Sequence, residues 1–123
     1  MATDAPHVVR GQAGERAVAA YLEARGHRVI ERNWRGQGGE IDLITRCDGT
    51  LHFVEVKTRS SDDFGGGWDA LSDSKCRRIA RTAEAYLLGA PEHDGCCFSV
   101  ALVSHEDDEY AVEFVEDAFD APR

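Results

Sequence analysis

Several kinds of protein are excluded by what this chain lacks. Four cysteines stand at 47, 76, 96 and 97 with no Cys-x-x-Cys pair, and vicinal Cys96 and Cys97 are badly placed to chelate one ion together. A zinc ribbon or a disulfide scaffold does not fit. The five histidines, at 7, 27, 52, 93 and 105, show no His-x-His or His-x-x-x-His spacing, and they read as surface residues. Thr58 and Ser60 have no histidine in a suggestive arrangement, so a nucleophilic hydroxyl enzyme is a weak idea. The longest mostly apolar stretch, Cys96 to Val103, is eight residues, against about 20 for a membrane helix. Met1 to Pro6 carries no apolar signal core. These features predict a soluble cytoplasmic protein with no membrane partner.

What is present suits one folded domain over residues 1–123, with 42% hydrophobic and 30% charged residues. The net charge is −9, and it is divided unevenly. Residues 1–60 sum to +1 and residues 61–123 to −10. A polyanion would be repelled by such a surface as a whole, so nucleic-acid binding needs a local basic face, a metal ion, or both. Twelve of the fourteen basic residues are arginine, a bias that by itself carries no functional weight.

Periodicity predicts a helix over Gly11 to Arg25 stopped by Gly26, a strand over His27 to Trp34, and a mobile glycine loop at Gly36, Gly38 and Gly39. Glu40 to Cys47 and Thr50 to Arg59 alternate and are rich in β-branched residues, with Asp48-Gly49 between them. That is the signature of a hairpin closed by a type I′ turn. After a flexible loop from Ser60 to Gly67, a second helix is predicted over Asp73 to Leu88. Two strands follow, Cys96 to Ser104 and Tyr110 to Val115, around the acidic turn Glu106 to Glu109, with a short segment near Ala118-Phe119. The order αβββαββ predicts an α/β domain whose mixed central sheet is flanked by helices.

If Cys47 lies opposite Thr50, Asp42 faces Glu55 and Glu40 faces Lys57. Alternation then puts these four on one face and Ile41, Leu43, Val54 and Val56 on the other. Facing carboxylates destabilise a sheet unless a counter-ion or a shared proton relieves them. Oxygen donors so spaced suit Mg²⁺ or Mn²⁺, and Lys57 could polarise an attacking water or steady charge on a phosphoryl oxygen. The plainer alternative is a solvated face on which Glu and Lys pair across strands. Glu40 in particular is read as the cross-strand partner of Lys57.

The runs Gly39-Glu40-Ile41-Asp42-Leu43-Ile44 and Phe53-Val54-Glu55-Val56-Lys57-Thr58-Arg59 resemble the core signature of the PD-(D/E)XK nuclease superfamily. Gly11, Gly14, Glu15, Tyr21 and Leu22 resemble the first helix of its YraN-like family, with Val18 where that family usually has alanine. Glu31-Arg32-Asn33-Trp34-Arg35, Phe64-Gly65, Lys75 and Ala118-Phe119 extend the likeness over nearly the whole chain. The resemblance implies a restriction-endonuclease-like fold, similar to archaeal Holliday-junction resolvases. It implies that Asp42 and Glu55 bind the metal, that Lys57 is catalytic, and that Glu15 points toward the metal. Glu15 could otherwise serve only as a first-turn acid favourable to the helix dipole. The fourth strand departs from the family, reading Cys97-Phe98-Ser99-Val100 where Asp is usual at the position of Ser99.

For nucleic acid, Arg32, Arg35 and Arg59 flank the expected site, and Lys75, Arg78 and Arg81 form a short stripe on the second helix. Trp34 reads as core and Trp68 as the more exposed tryptophan. The leading expectation is a Mg²⁺-dependent endonuclease acting on DNA, branched DNA included, for which a homodimer would suit symmetrical cutting. Its rivals are a nucleic-acid-binding or protein-interaction module that keeps the fold without turnover, and an acidic adaptor using the C-terminal half.

Overall fold

A computed structural model of the chain describes residues 6–59, 72–90 and 92–119, without the side chains of 6–11, 59 and 106. Its elements are α1 (Pro6–Glu23), β1 (Arg28–Gly36), β2 (Gly39–Cys47), β3 (Thr50–Arg59), α2 (Asp73–Leu87), β4 (Gly95–Glu106) and β5 (Glu109–Phe119). This is the expected αβββαββ order, on one five-stranded sheet in the spatial order β1-β2-β3-β4-β5. All neighbours are antiparallel except β3 and β4, which run parallel. A parallel pair needs a long crossover, and α2 lies within it. Phe64, Gly65 and Trp68 lie outside the described residues.

Helix α1 starts five residues before its expected start and ends on a glycine as expected. Gly26 takes φ +94°, and the His27 N–H bonds the Leu22 carbonyl at 3.0 Å, closing the last turn. Three hairpins use two-residue turns with both central φ values positive: Gln37-Gly38, Asp48-Gly49 and Asp107-Asp108. The first corrects an expectation. The glycines at 36–39 form a tight turn, with Gly36 opposite Gly39, where the sequence suggests a mobile loop.

Two apolar clusters fill the two faces of the sheet. Ile44, Phe53 and Phe98 pack with Ile79, Ala83 and Tyr86 of α2, and Trp34 joins them edge-on to Tyr86. Leu43, Val54, Ala101 and Val103 pack with Val18, Ala19 and Leu22 of α1. Both helices come very close to the sheet. A Cβ on Gly14 would lie 3.0 Å from Thr58 Oγ1, and one on Gly39 would collide with Thr82 Oγ1. Each glycine therefore lets a helix and the sheet meet at backbone distance, and each meeting point lies beside a candidate site residue.

The β2–β3 register is the expected one from Cys47↔Thr50 to Leu43↔Val54, where the recorded pairing stops. Beyond it the expected alternation slips. Ile41 packs with Ile44 on the α2 face, three residues apart, while Leu43 lies on the α1 face. The sequence had placed Ile41 with Leu43. Asp42 stands at the slip.

Candidate active site

Where the β2–β3 ladder ends, Asp42 Oδ2 accepts the Val56 backbone N–H at 2.8 Å. A side chain here takes a donor that strand pairing would otherwise use. β2 continues outward along β1 as far as Gly39, and β3 continues along β4 as far as Arg59. The expected backbone pairing of Asp42 with Glu55 is thus replaced, but both side chains line one cleft of about 650 Å³. Arg35, Glu40, Lys75 and Arg78 line it too.

Glu55 is the charge centre. Its side chain is only 12% exposed, and its Oε1 lies 3.1 Å from Lys75 Nζ and 3.8 Å from Lys57 Nζ. Lys57 and Lys75 are the chain's two lysines, and both meet here. Lys75 is brought in by the first turn of α2, where Ser72 caps the helix by accepting the Lys75 N–H at 3.2 Å. The sequence had placed Lys75 only among the nucleic-acid contacts; the fold puts it on Glu55.

Burial, with Glu55 next to it, pushes the Asp42 carboxyl up to about 7, against the Val56 N–H, which favours its charged form. Glu15 is also raised, chiefly by burial and against the Asn33 amide. The two amines move apart. Burial and the adjacent Lys75 push Lys57 down. Burial opposes the Lys75 charge, but the hydrogen bond with Lys57 and the Glu55 carboxylate outweigh it, and Lys75 is raised. A proton shared by the two lysines therefore favours Lys75, and Lys57 is the more easily deprotonated of the two.

Glu15 of α1 is held by Asn33, whose amide nitrogen, oriented to donate, lies 3.2 Å from each carboxylate oxygen. Glu15 and Asp42 lie near enough to perturb one another's protonation, which brings the helix-one glutamate up to the site. Asn33 takes a left-handed φ of 52°, and sequence reasoning missed it. A lone asparagine inside an otherwise β-forming run was the available signal. Glu40 is corrected: its ion pair is with Arg35 Nε, 3.6 Å away across the β1–β2 ladder, and Lys57 pairs with Glu55. Arg35 and Arg78 both line the cleft. The Arg59 side chain lies outside the described residues, although its backbone is on β3 beside Ser104.

A second polar cluster lies on the other face of β3. The His52 side chain is 2% exposed, with Nδ1 3.1 Å from Cys97 Sγ and 3.4 Å from Ser99 Oγ, and Nε2 3.6 Å from Glu116 Oε1. Ser99 Oγ also accepts the Asp117 N–H at 3.3 Å. His27 packs edge-on to His52 and bonds Thr45 Oγ1 at 2.9 Å. The expectation that these histidines are surface residues fails for His52, which strand alternation turns inward. Burial lowers both imidazoles and raises the Cys97 thiol.

Comparison with known proteins places this arrangement. The model described as "Uncharacterised protein family UPF0102" matches residues 14–103. The chain belongs to the uncharacterised protein family UPF0102. The UPF0102 protein of Dechloromonas aromatica (strain RCB) is 46% identical over 112 residues, 91% of this chain and 89% of that one. The UPF0102 protein of Symbiobacterium thermophilum is 44% identical over 114 residues, 90% and 96% of the two chains. Among solved structures, Pyrococcus furiosus SfsA in complex with Ca²⁺ aligns with a TM-score of 0.40 at 15% identity, covering 89% of this chain and 63% of that one. The UPF0102 match spans Glu15, Asn33, Asp42, Glu55, Lys57 and Lys75, and it ends on β4 before β5 begins. No helix of the described residues is long and apolar enough to cross a membrane.

Proposed function

We propose that this UPF0102 chain is a metal-dependent endonuclease of the restriction-endonuclease-like, PD-(D/E)XK kind, hydrolysing phosphodiester bonds in DNA, branched DNA included, in the cytoplasm. One observation carries the reading: at the point where two strands part, an acid driven up to about 7 faces a second acid that both lysines of the chain approach. Crowded carboxylates and a displaced proton cost stability, so the arrangement asks for a cation.

The donors fit Mg²⁺ or Mn²⁺. Asp42 and Glu55 offer hard oxygens, Asp42 keeps Oδ1 beyond its bond to Val56, and Glu15 stands behind it. Among the described residues no three His, Cys, Asp or Glu side chains are grouped to hold an ion. A dyad leaves its other positions to water, backbone carbonyl and phosphate, as an open catalytic site requires. When bound, the ion would stabilise charge on the phosphoryl oxygen and lower the pKa of an attacking water.

The protein groups divide the remaining work. Lys57, the amine more readily freed of its own proton, assists the attacking water by taking up its proton. Lys75 stays an ammonium, holds Glu55 in place and adds positive charge beside the phosphate. Arg35 and Arg78 bind flanking phosphates, and Glu15 steadies Asp42. A homodimer would let two such sites cut opposite strands.

The test is cleavage of duplex, single-stranded and four-way-junction DNA with Mg²⁺ or Mn²⁺, comparing wild type with Asp42→Ala and Lys57→Ala. Metal-dependent cleavage by wild type, lost in both variants, supports the assignment. Equal behaviour of all three proteins on every substrate sinks it, and binding without cutting would leave a nucleic-acid-binding module.

A further inference from the structure

A cleft opens on each face of the sheet near Asp42. On the α2 face Asp42 lines the cleft of Arg35, Lys75 and Arg78. On the α1 face its neighbour Glu15 lines a second, smaller cleft of about 190 Å³ with Gln12, Arg16, Arg32, Asn33 and Leu43.

The second cleft is rich in donors. Gln12, Arg16, Arg32 and Asn33 are exposed there. Among the described residues no carboxylate lies within ion-pair distance of Arg16 or Arg32, in a chain with 23 acidic residues against 14 basic ones. Two guanidiniums lining one cleft, where the only carboxylate is held by an amide, favour an anionic ligand at that point. The one carboxylate in the cleft, Glu15, is already engaged by Asn33.

We propose that the Arg16–Arg32 cleft is a second phosphate subsite, and that a nucleic-acid strand crosses the parting of β2 and β3 with its reacting phosphate at Asp42 and Glu55. Lys75 and Arg78 take a phosphate on one side and Arg16 and Arg32 take one on the other. This rests on the proposed function and adds a direction to it. The substrate is a continuous strand engaged on both sides of the bond, so a lone nucleotide or a strand end reaches only half of the donors. The phosphodiester chemistry is common to DNA and RNA, and the two are separated by experiment.

Binding is measured by fluorescence anisotropy of labelled single-stranded DNA and RNA of one sequence, over a salt series, in EDTA and in Mg²⁺. The proteins are wild type, the Arg16→Ala/Arg32→Ala double variant, Arg78→Ala, an Arg16→Lys/Arg32→Lys double variant, and Arg25→Ala. Arg25 lies over the Tyr21 ring, away from both clefts. The alanine double variant should bind about tenfold more weakly at low salt and lose about 1.4 from its salt slope, some 0.7 for each phosphate contact on a single strand. The lysine variant should keep most of the slope, and Arg25→Ala should match wild type. Loss with only one of the two nucleic acids names the source. An unchanged slope in the alanine double variant, alongside a reduced one in Arg78→Ala, overturns the second subsite and leaves the endonuclease reading standing. Failure of wild type to bind either strand in either buffer overturns the second subsite and leaves the endonuclease reading to the cleavage assay on duplex and four-way-junction DNA.

Discussion

Glu55 and His52 stand three residues apart on β3 and face opposite sides of the sheet, and each is the centre of a polar cluster. The clusters are put together by different rules. Around His52 most contacts are with uncharged groups, a thiol and a hydroxyl near Nδ1 and a serine oxygen that also satisfies the Asp117 N–H, with one largely exposed carboxylate near Nε2. Around Glu55 like charges are pressed together, three carboxylates and two ammoniums, beside two clefts. A buried polar group that is fully bonded stabilises and specifies a core. Buried groups whose charges conflict hold strain that a ligand can relieve. The difference teaches which cluster to read as architecture and which as chemistry.

The sharpest way to break that contrast is catalytic. Asp42→Ala and Lys57→Ala should each lower DNA cleavage about 1,000-fold, and Lys75→Ala about 100-fold, with circular dichroism unchanged. His52→Ala should leave cleavage per folded molecule close to wild type. A comparable catalytic loss on the His52 side would erase the distinction.

Stability should respond the other way. His52→Ala empties a buried site and strands Cys97, Ser99 and Glu116, at a cost of about 3 kcal/mol, measured by urea denaturation. Asp42→Asn keeps an acceptor for the Val56 N–H and removes a crowded charge. Without metal at pH 8 it should raise stability by about 1–2 kcal/mol, after allowance for partial solvation. A fall in stability would mean that the charge is not in conflict.

The smallest effect is in the pH dependence, where the clusters have opposite signs. Asp42 is raised from 3.8 to about 7, so its contribution is present below the lower value and lost as pH rises through the upper one. His27 and His52 are lowered from 6.5, so their contribution is lost as pH falls below that value. In wild type the two trends partly cancel. Asp42→Asn should expose the histidine trend as greater stability at pH 7 than at pH 5, read from thermal melts. A flat profile in that variant would dismiss the assignment of opposite signs.

The element order and the hairpin were legible because they depend on local periodicity and turn chemistry: alternating Glu40–Cys47 and Thr50–Arg59, and Asp48-Gly49 with φ values of 51° and 82°. The dyad was legible because it follows from that register. Three features were not. Glu40 was given to Lys57, since counting along a hairpin assumes that pairing continues to its end, whereas Asp42 takes the Val56 N–H and the strands part. Lys75 was read as a surface donor, because its approach to Glu55 depends on a crossover that returns α2 to the sheet at Gly39. His52 was read as exposed, because nothing local distinguishes a histidine facing the core from one facing water.

By itself the sequence determined the strands, the turns, the helix faces and the pairing of two acids with one lysine, since backbone sterics and side-chain alternation act over a few residues. Only the tertiary structure decided that a cleft would open on each face of the sheet near Asp42, and that Asn33 and Lys75 would join the site from distant elements. Those outcomes depend on how closely two helices settle onto one sheet, a matter of excluded volume at Gly14 and Gly39 that no local pattern encodes.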